Sequence, residues 1–167
     1  STEAGDEDGS GPTTGTIIIG ATAPATVYVD DDFSGIWSEA IADADGGPAT
    51  VPATYGLDAF TTLAAAAAVV APSGTIVVND GSYDSINLGT AAPNTTLRLT
   101  GSGGVAGAST VTIPSLDATT TNTIDLGAET LVLGDNSGQN TIECPITGAG
   151  GNLTKNGSDR LVLWSVC

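Results

Sequence analysis

Short runs in which every second residue is aliphatic dominate the chain after residue 74. The alternation is clear in Thr75–Val78, Thr96–Thr100 and Thr110–Ile113, and it is typical of β-strands with one buried face. Gly, Asn, Asp and Ser fill the gaps between the runs, where they favour turns. The pattern predicts strands at Thr26–Val29, Thr75–Val78, Ser85–Leu88, Thr96–Thr100, Thr110–Ile113, Thr123–Leu126, Thr130–Leu133, Thr141–Cys144, Asn152–Thr154 and Leu161–Trp164.

One segment has a helical period instead. Phe60, Leu63, Ala67 and Val70 recur at the spacing of one helix face. The spacing predicts a helix over Asp58–Ala71, with Asp58 as the N-cap. Pro72 and Gly74 follow at once and would end it.

The spacing of the predicted strands favours a solenoid. The strands begin roughly every 8 to 15 residues, so about three of them make a repeat of ~20–30 residues. Only 4% of the residues are aromatic, whereas a β-sandwich core usually holds a large central ring. The predicted helix would cover the first repeat and protect its unpaired edge. The fold class is therefore all-β, with a β-sandwich as the alternative to the solenoid.

The N-terminal segment differs from the rest of the chain. Residues 1–16 are acidic, rich in Gly and Ser and without apolar periodicity, which is typical of a flexible arm. Ile17, Ile18 and Ile19 follow and favour a strand. This strand either pairs within its own domain or adds to the sheet of a neighbouring subunit. We therefore divide the chain into an arm with one strand (1–25) and a β-domain (26–167).

The charge excludes two classes of partner. The chain has 19 acidic and three basic residues, and its net charge is −16. It therefore cannot neutralise a run of phosphates in a nucleic acid, and an anionic membrane surface would repel it. No apolar run is long enough to span a bilayer, and we expect no signal peptide, because no basic segment followed by an apolar one is found. A mature exported protein would look the same, so we expect a secreted, cell-surface location.

Two stretches resemble known families of surface proteins. Thr26 to Tyr83 resembles the N-terminal cap and first rung of pectin-lyase-like right-handed parallel β-helix proteins; the matching residues are Phe60, Thr61, Leu63, Gly74, Thr75, Ile76, Val78, Gly81 and Tyr83. Ile146 to Leu163 is similar to the autotransporter-associated β-strand repeat; the matching residues are Gly148, Gly150, Gly151, Leu153, Lys155, Gly157, Leu161 and Leu163. Ser158-Asp159-Arg160 and Trp164 depart from that repeat. The resemblance implies a right-handed parallel β-helix with one short N-terminal capping helix, and export to the cell surface. It implies no activity.

The chain offers weak candidates for catalysis. Enzymes of this fold use carboxylates, often with Arg or Lys, and glycoside hydrolysis needs two carboxyl groups across the scissile bond. Asp117, Asp125, Glu143 and Arg98 are the candidates, but no family motif surrounds them. Histidine is absent, which removes the usual general base. We therefore interpret these residues as solvated outward side chains and expect no enzyme.

Calcium is the candidate cofactor. Asp30, Asp31 and Asp32 form one acidic group, and Asp43 and Asp45 form another. Calcium prefers clusters of carboxylate and carbonyl oxygens, and the two groups flank one irregular loop in which they could meet. The alternative is that the Asp run ends a strand and aids solubility.

Three Asn-x-Ser/Thr sequons and two cysteines are candidate modification sites. The sequons, at Asn94, Asn152 and Asn156, are candidates for glycosylation, or they arise by chance in a chain rich in Thr and Asn. Cys144 and Cys167 lie 23 residues apart, about one solenoid repeat, so a disulfide between neighbouring strands is geometrically possible. Two free thiols, or a bond between subunits, are the alternatives.

These observations favour a structural protein. Leu161 to Cys167, which includes Trp164, carries no polar cap or charged tail, and an uncovered solenoid edge can template another chain. We expect an extracellular subunit that assembles with copies of itself into a filament, a layer or an adhesive stalk. The alternative is a carbohydrate-active enzyme or carbohydrate-binding module, with aromatic platforms near Trp37, Tyr55 and Tyr83. Surface polysaccharide is the second candidate partner.

Overall fold

Strands make up most of the regular structure. The structure, a computed structural model, describes residues 22–45, 49–101, 109–134 and 139–164. The strands are β1 Thr26–Val29, β2 Ala40–Ile41, β3 Ala53–Thr54, β4 Ala59–Phe60, β5 Thr75–Val78, β6 Gly81–Ser82, β7 Ile86–Asn87, β8 Thr96–Leu99, β9 Thr110–Ile113, β10 Leu116–Asp117, β11 Thr123–Asp125, β12 Thr130–Leu133, β13 Asn140–Ile142, β14 Ile146–Thr147, β15 Asn152–Lys155 and β16 Leu161–Leu163. Two helices accompany them, α1 Leu63–Val69 and α2 Leu88–Ala91. The all-β expectation is confirmed.

Nearly all strand pairs are parallel. One sheet has the order β14-β11-β8-β5-β1-β4 and a second has the order β15-β12-β9-β6. In two smaller sheets β10 pairs with β7 and β13 pairs with β16. Only β2 and β3 pair antiparallel among the described strands. From β5 onward the chain visits the large sheet, the second sheet and a small sheet in the same order each time.

The register places like residues above one another. Ile76 lies beside Leu97, and Leu97 lies beside Ile124. All three side chains are fully buried, and Val27 on β1 extends the same row. The core is thus a set of aliphatic rows that run across the strands, which is why a chain so poor in aromatic residues can still bury a continuous interior.

Helix α1 is shorter than the periodicity predicts, and its N-cap is a different residue. Thr62 is the cap, and its side chain accepts a hydrogen bond from the Ala65 N–H (3.2 Å). The Asp58 carboxylate instead accepts from the Thr54 N–H (2.6 Å), because Ala59 and Phe60 form β4 and leave Asp58 too far from the helix. The buried side of α1 consists of Leu63, Ala66 and Ala67.

The strand stack, meaning the parallel sheets together, has two distinct ends. The N-terminal end consists of β4 and of residues 36–41 and 53–57, which lie outside it; Tyr55 bridges to Ala59, and the Ser38 N–H donates to the Tyr55 carbonyl (2.9 Å). The C-terminal end consists of β14, β15 and β16, each of which is paired on one side only among the described strands. No helix in the described ranges has the length and apolar character that crossing a membrane would require.

Candidate functional site

A groove of about 380 Å³ lies on the outer face of the large sheet. Its lining comes from neighbouring strands and one loop: Thr26, Tyr28, Asp45, Thr75, Val77, Arg98 and Thr100. The register creates this lining, because Tyr28, Val77 and Arg98 stand side by side on β1, β5 and β8. We call it the sheet-face groove.

The charges of the sheet-face groove are mixed. Arg98 Nε lies 3.7 Å from Asp125 Oδ2, and the two side chains are 56% and 30% exposed. Such a solvated pair adds little stability, so the guanidinium remains available to a ligand. Burial, together with the Asp45 and Asp58 carboxylates, raises the pKa of Tyr28. The phenol therefore stays neutral and can donate or accept a hydrogen bond.

The structure brings together three of the five predicted calcium ligands. Asp30, Asp31 and Asp32 each offer an oxygen within 4.8 Å of the others. Asp43 and Asp45 do not belong to this cluster. Asp43 accepts a hydrogen bond from the Val51 N–H (3.2 Å), and Asp45 lines the sheet-face groove. The two acidic groups, which could have met around the loop, therefore do not form one compact cluster among the described residues.

Two of the clustered carboxylates already hold the fold together. Asp30 accepts from Asn79 Nδ2 (2.9 Å) and from the Asp32 N–H (2.9 Å). Asp31 accepts from the Ser82 N–H (3.1 Å). Burial first, and then Asp30 and Asp31, raise the pKa of Tyr83. These hydrogen bonds fit carboxylates that end a strand as well as carboxylates that bind a cation, so calcium binding stays a prediction.

A second groove, of about 330 Å³, contains two of the residues considered for catalysis. Asp117 and Glu143 line it with Asn87, Ala118, Thr119, Gln139 and Thr141. Asp117 accepts a hydrogen bond from the Thr141 N–H (2.8 Å) and so helps to join β10 to β13. Asp125 and Arg98 belong to the large sheet instead. The four candidates therefore do not share one site.

The exposed large apolar side chains lie at the two ends of the strand stack. Within the described ranges they are Ile36, Trp37, Leu57, Leu163 and Trp164. The first three belong to the N-terminal end and the last two to the C-terminal end. Trp37 and Trp164 are both 62% exposed. Of these residues, only Trp164 was singled out for assembly by the sequence; the Ile-Trp pair inside a polar loop was an available signal for the other end.

Trp37 rests against a glycine. A Cβ added to Gly56 would lie 2.3–2.7 Å from three atoms of the indole ring, which is closer than any side chain allows. Gly56 also has a φ of +82°, a conformation that favours glycine. The indole therefore has one supported side and is otherwise open to solvent.

Some of the remaining predicted sites lie within the described residues and others lie outside them. Asn94, Asn152 and Asn156 are exposed, as glycosylation would require. Cys144 is buried in the core, and burial raises the pKa of its thiol. Ile17, Ile18, Ile19 and Cys167 lie outside the described residues, so the donated strand and the disulfide stay predictions.

Comparison with known proteins gives no relative. No family model, no curated protein and no solved structure matches the chain.

Proposed function

We propose that this chain is a non-enzymatic, extracellular structural subunit that assembles head to tail with copies of itself. Its fold would be a small right-handed parallel β-helix with α1 as a cap near the first rung. The repeated order of parallel strands supports that fold, since β5 to β7, β8 to β10, β11 to β13 and β14 to β16 each contribute one strand to each side.

The placement of the exposed apolar side chains carries the assembly proposal. Monomeric proteins rarely leave large apolar groups clustered at an open sheet edge. Here Ile36, Trp37 and Leu57 lie at one end, and Leu163 and Trp164 lie at the other. The two patches differ in sequence and lie at opposite ends of the strand stack. A contact between unlike patches does not close on itself and therefore builds fibres.

The two ends differ in net charge. Residues 22–60 contain seven acidic side chains and no basic one. Residues 139–164 contain two acidic side chains and two of the three basic residues of the chain, Lys155 and Arg160. An end with little net charge meets an acidic end with less repulsion than two acidic ends would. The net charge of −16 still opposes association, so we expect added salt to promote it.

Paired variants test the head-to-tail contact directly. In light scattering and sedimentation at rising protein concentration, Trp37→Ser and Trp164→Ser should each abolish growth beyond the monomer. A mixture of the two variants keeps one intact contact, the normal C-terminal end of the first against the normal N-terminal end of the second. It should form a heterodimer and grow no further.

Arg98→Ser is the matched control, because Arg98 is exposed on the side of the stack rather than at an end. It should assemble like the unmodified chain. A monodisperse monomer at all concentrations and salt levels would contradict the proposed function. Assembly that survives both tryptophan substitutions would contradict the assignment of the contact to these ends.

The sheet-face groove supports a second candidate function, carbohydrate binding. It combines an aromatic ring, a cation, a carboxylate and threonine hydroxyls, namely Tyr28, Arg98, Asp45 and Thr75, and sugar sites commonly use such polar groups beside an apolar surface. Titration calorimetry with neutral and acidic oligosaccharides tests it. Binding that is lost in Arg98→Ala but kept in Trp37→Ser would favour this function, and no heat with any oligosaccharide would exclude it.

A further inference from the structure

The only lysine of the chain lies in a largely buried polar cluster at the C-terminal end of the strand stack. Lys155 and Asp159 form an ion pair whose side chains are 18% and 6% exposed. Asn140, on β13, is fully buried beside them. Lys155 Nζ also donates to the carbonyl oxygens of Gly134 (3.1 Å) and Asn156, which hold the amine in place from two further sides.

One carboxylate contacts both an amine and an amide. Asp159 Oδ1 accepts from Lys155 Nζ, and Asp159 Oδ2 accepts from Asn140 Nδ2 (2.9 Å). The other side of the Asn140 amide is also engaged, because its Oδ1 accepts from the Leu116 N–H (2.8 Å). A nucleophile, a proton carrier, a leaving group and a donor to the amide oxygen thus lie in one connected cluster.

We propose that this cluster is a modification site at which Lys155 and Asn140 form an intrachain amide cross-link. Lys155 would be the nucleophile, and Asn140 Cγ would be the carbon it attacks. Asp159 would carry the protons. The backbone N–H of Leu116 would stabilise the negative charge on Asn140 Oδ1 as the tetrahedral intermediate forms, in the manner of an oxyanion hole.

The reaction balances without any other reactant. Asp159 takes one proton from the Lys155 ammonium, and the neutral Nζ forms a bond to Asn140 Cγ. Asp159 passes that proton to Asn140 Nδ2 and then takes the second proton from Nζ. The bond between Cγ and Nδ2 breaks and ammonia leaves with the proton from Asp159 as ammonium. An ammonium and a primary amide become a secondary amide and an ammonium ion, and Asp159 ends as a carboxylate.

Proximity favours the reaction in the folded chain. Lys155 Nζ and Asn140 Nδ2 contact the two oxygens of one carboxylate, and groups that a fold holds together in a reactive orientation reach effective concentrations of up to about 10⁵–10⁸ M. The cross-link would join β13 to β15 covalently at the C-terminal end of the strand stack, where the outermost described strands are paired on one side only.

Mass spectrometry of the denatured, intact protein tests the proposal. We expect a mass lower than the sequence mass by one ammonia, and a proteolytic fragment in which the peptide of Asn140 is joined to that of Lys155. An amine-reactive reagent added to the denatured protein should modify the N-terminus and leave Lys155 untouched. Lys155→Arg keeps the positive charge and should have the full mass, as should Asp159→Asn.

Asn156→Gln is the matched control. Asn156 precedes Gly157, and cyclisation at such a pair also releases ammonia. The mass deficit should persist in Asn156→Gln and vanish in Lys155→Arg. A full intact mass after prolonged incubation of the folded protein would overturn the proposal, as would a deficit that survives Lys155→Arg. A loss of one water, mapped to Lys155 and Asp159, would overturn the assignment to Asn140.

Discussion

The two ends of the strand stack are built from similar strands but are completed differently. At the N-terminal end, Ala59 and Phe60 of the outermost strand are buried, and α1 buries Leu63 to 1% exposure nearby. At the C-terminal end, Ile146 and Leu153 are only partly buried, although they continue the aliphatic rows of Ile124 and Leu131. Whether a strand residue belongs to the core therefore depends on the next strand rather than on its own sequence.

The ends also differ in how they satisfy their polar groups. Near the N-terminal end the Asn79 side chain donates to Asp30 and to the Ala44 carbonyl (3.1 Å) and accepts from Thr100 Oγ1 (2.9 Å). These bonds join loop, strand and neighbouring strand with neutral or solvated groups. At the C-terminal end the ion pair of Lys155 and Asp159 makes the corresponding connection: Asp159 accepts from Asn140 on β13, and Lys155 donates to the Gly134 carbonyl. The connecting side chain near the N-terminal end is thus a neutral amide, whereas the connection at the C-terminal end is a charged pair.

The largest expected effect concerns the apolar side of α1. Leu63→Asp places an unpaired charge at a buried position, which should lower the free energy of unfolding by at least about 3 kcal/mol. Ala64→Asp is the matched control, because Ala64 is the next residue along the same helix and is exposed. Chemical denaturation of both variants measures the difference. Equal stability of the two would show that α1 does not cover the core.

The second prediction compares two register partners. Leu131 is fully buried, and Leu153, which pairs with it on the next strand, is half-buried. Leu131→Ala should cost about 3 kcal/mol in unfolding free energy, and Leu153→Ala should cost about 1 kcal/mol in the monomer, since less apolar contact is lost. If the chain assembles as proposed, the cost at Leu153 should rise at concentrations that give assembly. Equal costs in the monomer would contradict the comparison of the two ends.

The third prediction concerns Asn79. Asn79→Ala leaves the Ala44 carbonyl and the Thr100 hydroxyl without this partner, which should cost about 2 kcal/mol. Asn152→Ala, at an exposed position on β15, should change the free energy of unfolding by less than about 0.5 kcal/mol. Thermal unfolding of both variants checks this. A silent Asn79 variant would mean that water replaces the amide without loss.

The sequence predicts the strands well because their alternation reflects burial of one side, and the patterns at Thr75–Val78 and Thr110–Ile113 match the observed bounds. Two-residue strands such as β10 and β14 are too short to show a period and were missed. The cap of α1 was misplaced because Asp58 and Thr62 are both good caps, and only the strand at Ala59 and Phe60 decides between them.

The candidate sites were harder to predict because they depend on register. The sheet-face groove needs Tyr28, Val77 and Arg98 side by side, although they lie far apart in the chain. The contact of Asn140, on β13, with Asp159, in the turn between β15 and β16, likewise joins parts of the chain that are separate in sequence. No local motif encodes either of them. In contrast, the five predicted calcium ligands were grouped by proximity in sequence, and Asp43 and Asp45 lie outside the cluster that Asp30, Asp31 and Asp32 form.

The smallest expected effect is on the reactivity of Cys144. Its thiol is buried, and burial raises its pKa above the ordinary value of 9.0, so at pH 8 the reactive thiolate is rarer than in an exposed cysteine. In a Cys167→Ser variant, which isolates Cys144, a thiol reagent should react far more slowly with the native protein than with the denatured one. The difference should be about tenfold for each 1.4 kcal/mol of opening free energy. Thiol titration of the unreduced, denatured wild-type chain then tests the predicted bridge to Cys167. No reactive thiol and a monomer on a non-reducing gel would support an intrachain disulfide. Two reactive thiols would contradict it, and a dimer on that gel would show a bond between subunits. Fast reaction of Cys144 in the native variant would mean that the C-terminal end opens readily and that its strands contribute little to stability.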